Sequence, residues 1–318
     1  MADLPRRIAI TGSAGFLGEA AVDLVTALPS TEVVAAIDLR MTQGPPGETR
    51  PFISVVRDIR EPLDSLFEAL EIDCVIHLAF QLRTGRNEAE ARSVNVDATG
   101  SLLDTCARTG VNQFVYLSST TVYGAHDGAG YHKEDETPKP VKGFQYSQHK
   151  LKAEQLIQGF SHDHPEMAAA ILRACVVMAP GADNFIAQSL GMRVLPTPMR
   201  ANPPMQFLHL DDYSSALSAV IGQRARGVYN IAGRGEVPWR DVAALTGARV
   251  IPVPASILKG LVAATWATGL QNASTPAGLE LIRHPWLAST AKAEAELGWS
   301  PQRTSAEALR SWAAARRK

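Results

Sequence analysis

Cysteine is scarce: Cys74, Cys106 and Cys175 are the three in 318 residues, far apart, with no CxxC spacing and no neighbouring His cluster. Neither a disulfide framework nor a zinc site is implied, and a reducing cytoplasm suits the chain. An excess of one charge is missing too. With 31 basic residues against 32 acidic ones and no long like-charge block, nothing draws the chain to nucleic acid or to an anionic membrane. The basic end "ARRK" suits the negative terminus of a last helix. No apolar run reaches the length of a membrane span. The N-terminal "MADLPRRIAITG" holds no apolar stretch ahead of a cleavage site and runs directly into a first strand. The most apolar late segment, "ASILKGLVAATWATGL" from Ala255 to Leu270, carries a lysine and is too short to span, so it is expected as a buried or pocket-lining helix.

What is present is an ordinary globular composition, at a length that holds one large domain or a domain with a smaller lobe. The runs "RRIAITG", "VVAAID", "ISVVRD", "CVIHLAF", "QFVYLSS" and "AAILRACVV" read as strands buried on both faces, and amphipathic stretches separate most of them. Strand, helix and strand in repetition predict an α/β fold of the doubly wound, Rossmann type, with ligands at the carboxyl ends of a parallel sheet. After Val177 the rhythm breaks into "APGADNF" and the proline-bearing "LPTPMRANPP". Residues 1–178 and 205–234 are therefore expected to form the dinucleotide-binding domain and 179–204 and 235–286 a smaller substrate lobe. Residues 287–318 are expected as C-terminal helices packing on the core.

Directly after the first strand, "TGSAGFLG" sets Gly12, Gly15 and Gly18 where strand gives way to helix, with Phe16 and Leu17 between them. The spacing departs from GxGxxG, but the physics is the same. Glycines let the backbone turn tightly and approach a pyrophosphate, whose charge then sits at the positive end of the helix. Asp38 closes the second strand, where a carboxylate accepts hydrogen bonds from ribose hydroxyls and repels a 2′-phosphate, so NAD is preferred to NADP even with Arg40 close by. Asp58, followed by Ile59 at the end of the third strand, suits either an adenine amino group or a helix cap. Farther on, "GFQYSQHKLKAE" puts Tyr146 four residues ahead of Lys150. On a helix those two lie side by side, and the spacing alone fits an ordinary helix surface as well as half of an active site.

Taken in order, "TGSAGFLG", "HLAF", "SVNVDAT", "YLSSTTVYG", the Tyr146–Lys150 pair, "FLHLDD", "GVYNIAG" and "LGWSP" span nearly the whole chain. In this set the chain resembles the extended short-chain dehydrogenase/reductase family, the NAD-dependent epimerases/dehydratases. The resemblance implies that Tyr146 exchanges a proton with a substrate hydroxyl, that Lys150 and the cofactor lower the phenol's pKa, and that Ser119 polarises the substrate oxygen, with Ser118 the lesser claimant. It also implies that Leu78 and Ala79 run beside the cofactor, while His77, Asn95, His209 and Asp212 are structural. Family members commonly dimerise through the helix bearing Tyr146 and the one after Asn95, and the apolar faces of "LLDTCA" and "LKAEQLIQGF" permit a homodimer.

The resemblance covers several reactions. Sugar 4,6-dehydratases of the family carry acids after the active-site Ser/Thr, where this chain has Thr120 and Thr121, so the pattern is closer to the epimerases and Thr120 is expected at the substrate. Nucleotide-sugar epimerases tend to carry a phosphate-clamping Arg four residues before the His of "FLHLDD"; this chain has Met205, leaving Arg193, Arg200 or Arg283 as substitutes. Asn184 sits where members often contact substrate. Three functions are open: an NAD-dependent epimerase of a sugar or nucleotide sugar, an NAD-dependent dehydrogenase or reductase of an apolar hydroxy compound, and a nucleotide sensor without chemistry. In each the partner is a small molecule, with no nucleic acid and no membrane.

Overall fold

In the computed structural model, which describes residues 4–47, 50–82, 87–128, 130–182, 184–271 and 275–316, all six apolar runs enter one parallel sheet. The strands are β1 (Arg7–Thr11), β2 (Val33–Asp38), β3 (Phe52–Val56), β4 (Cys74–His77), β5 (Gln113–Ser119) and β6 (Ala168–Ala174). After a short strand β7 (Val194–Pro198) outside this sheet, β8 (Gly227–Ile231) joins it as a seventh member. The spatial order is β8-β6-β5-β4-β1-β2-β3. The chain thus winds outward from β1 to β3, returns, and winds the other way from β4. That reversal opens a crevice between the carboxyl ends of β1 and β4, where dinucleotides bind in doubly wound sheets.

Alternation along β1 divides the core. Ile8 and Ile10 face one layer with Ala21, Val22 and Val25 of α1 (Phe16–Ala27), while Ala9 faces the other with Val75 and Phe114. That second layer takes Leu102, Leu103 and Cys106 from α2 (Ala98–Thr109) and Ala153 and Ile157 from α3 (Gln145–Asp163). Of the apolar residues expected to face a second copy, Leu102, Leu103, Cys106, Ala153 and Ile157 are buried within their own chain, while Leu156 is exposed. Gly110, in the left-handed region at φ +78°, ends α2 without the Cβ strain another residue would carry.

A further core gathers Met178, Ile186, Leu195, Met205, Trp239, Trp286 and Trp312, joining residues on both sides of β8 to the C-terminal helix. Beside it, β7 pairs in parallel with β9 (Arg249–Val253). The apolar segment after β9 does form a helix, Ala255–Thr268, but the expectation of burial fails. Leu258 is its one buried residue among those described, and no residue of the helix lines the main cavity. The final arginine and lysine of "ARRK" lie outside the described residues.

Candidate active site

The carboxyl ends of β1, β2, β4, β5 and β6 open into one cavity of about 1000 Å³. Its floor is the glycine loop. Gly12 turns at φ +74°, and a Cβ there would stand 2.5 Å from the Ala79 amide nitrogen; a Cβ on Gly18 would stand 2.1 Å from the Gly12 carbonyl oxygen. Both separations are impossible for real atoms, so only glycine lets the loop, the helix and the β4 end meet this closely. Gly15 precedes α1 with no side-chain cap, leaving the first amides of the helix to an anion. Gly12, Gly15, Phe16, Leu17, Gly18, Leu78 and Ala79 all line the cavity, as the motif requires.

Asp38 lies on the same wall, its carboxylate accepting from the amides of Ala14 and Arg40, each at 3.1 Å. The Arg40 guanidinium donates to the Ala14 carbonyl at 2.5 Å and so belongs to the loop. Asp58 caps no helix: Arg60 pairs with it at 2.6 Å and holds its carboxyl below the usual range. Asp58 and the buried Ile59 both border the cavity. These residues fit NAD: a glycine cradle that a Cβ on Gly12 or Gly18 would disrupt, a helix N-terminus for the pyrophosphate, and a carboxylate where the adenosine ribose would lie.

Opposite the loop, α3 presents Tyr146 and Lys150 one turn apart, and the β5 end presents Ser119. Ser119 acts on the Tyr146 phenol to lower its pKa, and its oxygen accepts from the amide and hydroxyl of Thr121, at 3.3 and 3.0 Å. Lys150 donates to the Leu117 carbonyl at 2.6 Å, and its ammonium stands 3.8 Å from the centre of the Phe80 ring. Phe80 meets Tyr146 edge to face as well. Burial pushes the Tyr146 phenol up to about 12, opposed only by Ser119, and pushes Lys150 down to about 7, opposed by the Glu154 carboxylate. In the protein alone burial is the larger effect on the phenol.

Thr120 requires correction. It is fully buried, its hydroxyl has no partner among the described atoms, and it does not line the cavity; Thr121, the next residue, takes that place. The tight turn after β5 rotates successive side chains to different sides. Asn184 does border the cavity, but its side chain accepts from the Ala187 amide and donates to the Val177 carbonyl, capping the helix Phe185–Leu190. His77 is held between the hydroxyls of Thr11 and Thr99 at 2.7 and 3.0 Å and is pushed down to about 3 by burial, with Lys150 adding to the effect. Asn95 grips both backbone groups of Gln81, His209 caps the helix Leu210–Gly222, and Asp212 accepts from the amides of Gln302 and Arg303.

Sequence reasoning missed a buried network behind the site. Glu154, one turn beyond Lys150, accepts from Ser118 and from Arg173 at 2.7 Å, and Arg173 reaches the Tyr123 hydroxyl at 2.8 Å. Helical spacing was the available signal: 146, 150 and 154 fall on one face. Past β6 the cavity wall is Ala174, Cys175, Val176, Val177 and Ile186, joined by Trp286. Among the described lining residues, the cations besides Lys150 are Arg40, Arg57 and Arg60, all at the β2 and β3 end. Met205 is buried, and Arg193, Arg200 and Arg283 are absent from the lining.

A family model described as the NAD dependent epimerase/dehydratase family matches residues 8–232. An uncharacterized protein of Mycobacterium tuberculosis is 25% identical over 320 residues, covering 96% of this chain and 82% of that protein. The UDP-glucose 4-epimerase of Erwinia amylovora is 31% identical over 176 residues, 52% of each chain. Among solved structures, MoeE5 in complex with UDP-glucose and NAD is 26% identical, covers 98% of both chains and has a TM-score of 0.74. The dTDP-glucose 4,6-dehydratase from Bacillus anthracis in complex with NAD reaches a TM-score of 0.74 at 18% identity over 98% of this chain and 96% of that one, a likeness of fold.

Proposed function

The chain belongs to the NAD-dependent epimerase/dehydratase family, and we propose that within it the protein is an epimerase-like oxidoreductase acting on a carbinol carbon of a sugar or nucleotide sugar. NAD is its cofactor. The observation that carries the reading is that Ser119, Tyr146 and Lys150 together line the cavity whose other wall is the glycine loop. Bound NAD supplies the hydride acceptor and, when oxidised, a positive charge near the phenol. Tyr146 takes the proton of the substrate hydroxyl as the carbon becomes a transient ketone, and returns it when the carbon is reduced from its other face. Ser119 orients the substrate oxygen, with Thr121 fixing the serine hydroxyl. Lys150, tied to Leu117, holds the end of β5 against α3 and leaves an ammonium beside the phenol. The uncharged Thr121 gives no extra acid for dehydration, and the similarity to MoeE5 and to a UDP-glucose 4-epimerase favours a nucleotide sugar.

A second reading has its own support. The apolar wall past β6, with Met205 in place of a clamping arginine, suits an NAD-dependent dehydrogenase or reductase of an apolar hydroxy or keto compound. Cofactor handling separates the two. An epimerase regenerates its NAD within each turnover, so purified, denatured protein should release NAD close to one per chain by mass spectrometry. A site that purifies empty and exchanges NADH freely would remove the epimerase reading.

Residues 179–204 and 235–286 serve as the substrate lobe in either case. A homodimer through α2 and α3 would rest on their polar outer faces and Leu156, since their apolar residues are buried inside. Light scattering that finds a monomer removes it.

A further inference from the structure

The helix Ala255–Thr268 turns apolar side chains to solvent where a surface helix ordinarily shows polar ones. Ile257, Leu261 and Ala264 follow at spacings of four and three, share one stripe and are exposed, Ile257 at 62% and Leu261 at 54%. Leu270, just past the helix, is 80% exposed. The helix rests on β7; Val194 on that strand, Met192 and Met199 just beyond its ends and Ile251 on β9 are exposed. Single exposed hydrophobics are commonplace; a run of them at helical spacing, with more on the neighbouring strands, is not.

Charge identifies what such a surface would meet. From Asn184 to Leu210 and from Val242 to Leu279 the sequence has Arg193, Arg200, Arg249 and Lys259, and not one Asp or Glu. All four cations are exposed, and among the described residues none pairs with a carboxylate. The whole chain is net −1, so this positive charge is local to the lobe. We propose that the lobe formed by β7, β9 and the helix Ala255–Thr268 docks peripherally on a bilayer surface that carries anionic headgroups. On β9 the exposed Arg249 and Ile251, two residues apart, share a face, and Arg249 pairs in register with the exposed Val194; exposed apolar residues beside unanswered cations suit a surface that lies on an anionic bilayer. A second copy fits poorly, because a two-fold contact sets these cations against themselves with no acid in either segment to answer them. Spanning is excluded for this helix, which is 14 residues long and carries Lys259.

The test is flotation of the full chain with vesicles of phosphatidylcholine alone or with about a third phosphatidylglycerol, where each cation contributes roughly fivefold to partitioning. Binding at least about tenfold stronger to the anionic vesicles, and weakened by salt, is expected. Arg193→Glu with Arg249→Glu should lower it by roughly twentyfold or more, and Ile257→Asp with Leu261→Asp should lower it too. NAD content and thermal unfolding should stay unchanged in both, since these side chains touch neither the cavity nor the core. No binding, or equal recovery with both vesicle compositions, overturns the proposal. A concentration-dependent dimer in light scattering that the aspartate variant abolishes would overturn it in favour of a second copy.

Discussion

At the scale of single residues, the proposed chemistry turns on a phenol whose proton is hard to remove. Burial holds Tyr146 near 12 in the protein alone, and Ser119 only partly offsets it. In the proposed mechanism the missing acidity would come from the positive charge that oxidised NAD would carry when bound. Tyr146→Phe keeps the ring, with its edge contact to Phe80, and removes only the proton carrier. Hydride transfer in single-turnover absorbance should fall by about 10²–10⁴, the range for losing a general acid–base group, while NAD affinity by titration changes little. Near-normal turnover in that variant would sink the mechanism. Thr120 and Thr121 give the converse lesson: two identical neighbouring residues, of which one faces the cavity and the other the core.

Among the elements, α3 carries more than the two residues its motif announces. Its third inward turn places Glu154 against Arg173 of β6 and Ser118 of β5, with both charges almost wholly excluded from water. The pair staples the helix that holds Tyr146 and Lys150 to the strands that hold Ser119. Removing one partner strands the other charge in the interior, which costs about 3–5 kcal/mol, far more than an exposed ion pair contributes. Glu154→Gln should therefore lower the urea-unfolding free energy by about that amount. It should also push Lys150 further below its ordinary value, because the Glu154 carboxylate is what favours the ammonium. A variant as stable as the parent would show that the pair does not staple these elements.

For the molecule as a whole, buried titrating groups give stability a sloped dependence on pH. His77, near 3 in the fold against an ordinary 6.5, is neutral in the folded chain where the unfolded chain binds a proton, so stability is lost as pH falls from about 6.5 toward 3. Lys150, near 7 against 10.5, has given up in the fold a proton that the unfolded chain keeps, so its contribution grows as pH rises from about 7 to about 10. Tyr146 opposes this above about 10, where the unfolded chain loses a proton that the fold retains to about 12. Urea unfolding of the parent should gain about 2 kcal/mol between roughly pH 7 and pH 9 relative to Lys150→Met. A parallel response in both proteins would show that Lys150 is not buried as the fold has it.

The sequence by itself determined the sheet, the glycine loop and the pairing of Tyr146 with Lys150. Each is local: strands buried on both faces read as unbroken apolar runs, a backbone conformation open only to glycine demands glycine, and helical spacing fixes which side chains are neighbours. Tertiary structure alone decided that Thr121 and not Thr120 meets the cavity, that Glu154 finds Arg173, and that Ala255–Thr268 stays in solvent despite its apolar composition. Burial and pKa depend on which distant segments come to lie within a few ångströms. An apolar helix and a buried one have the same composition until the surface that covers them is known.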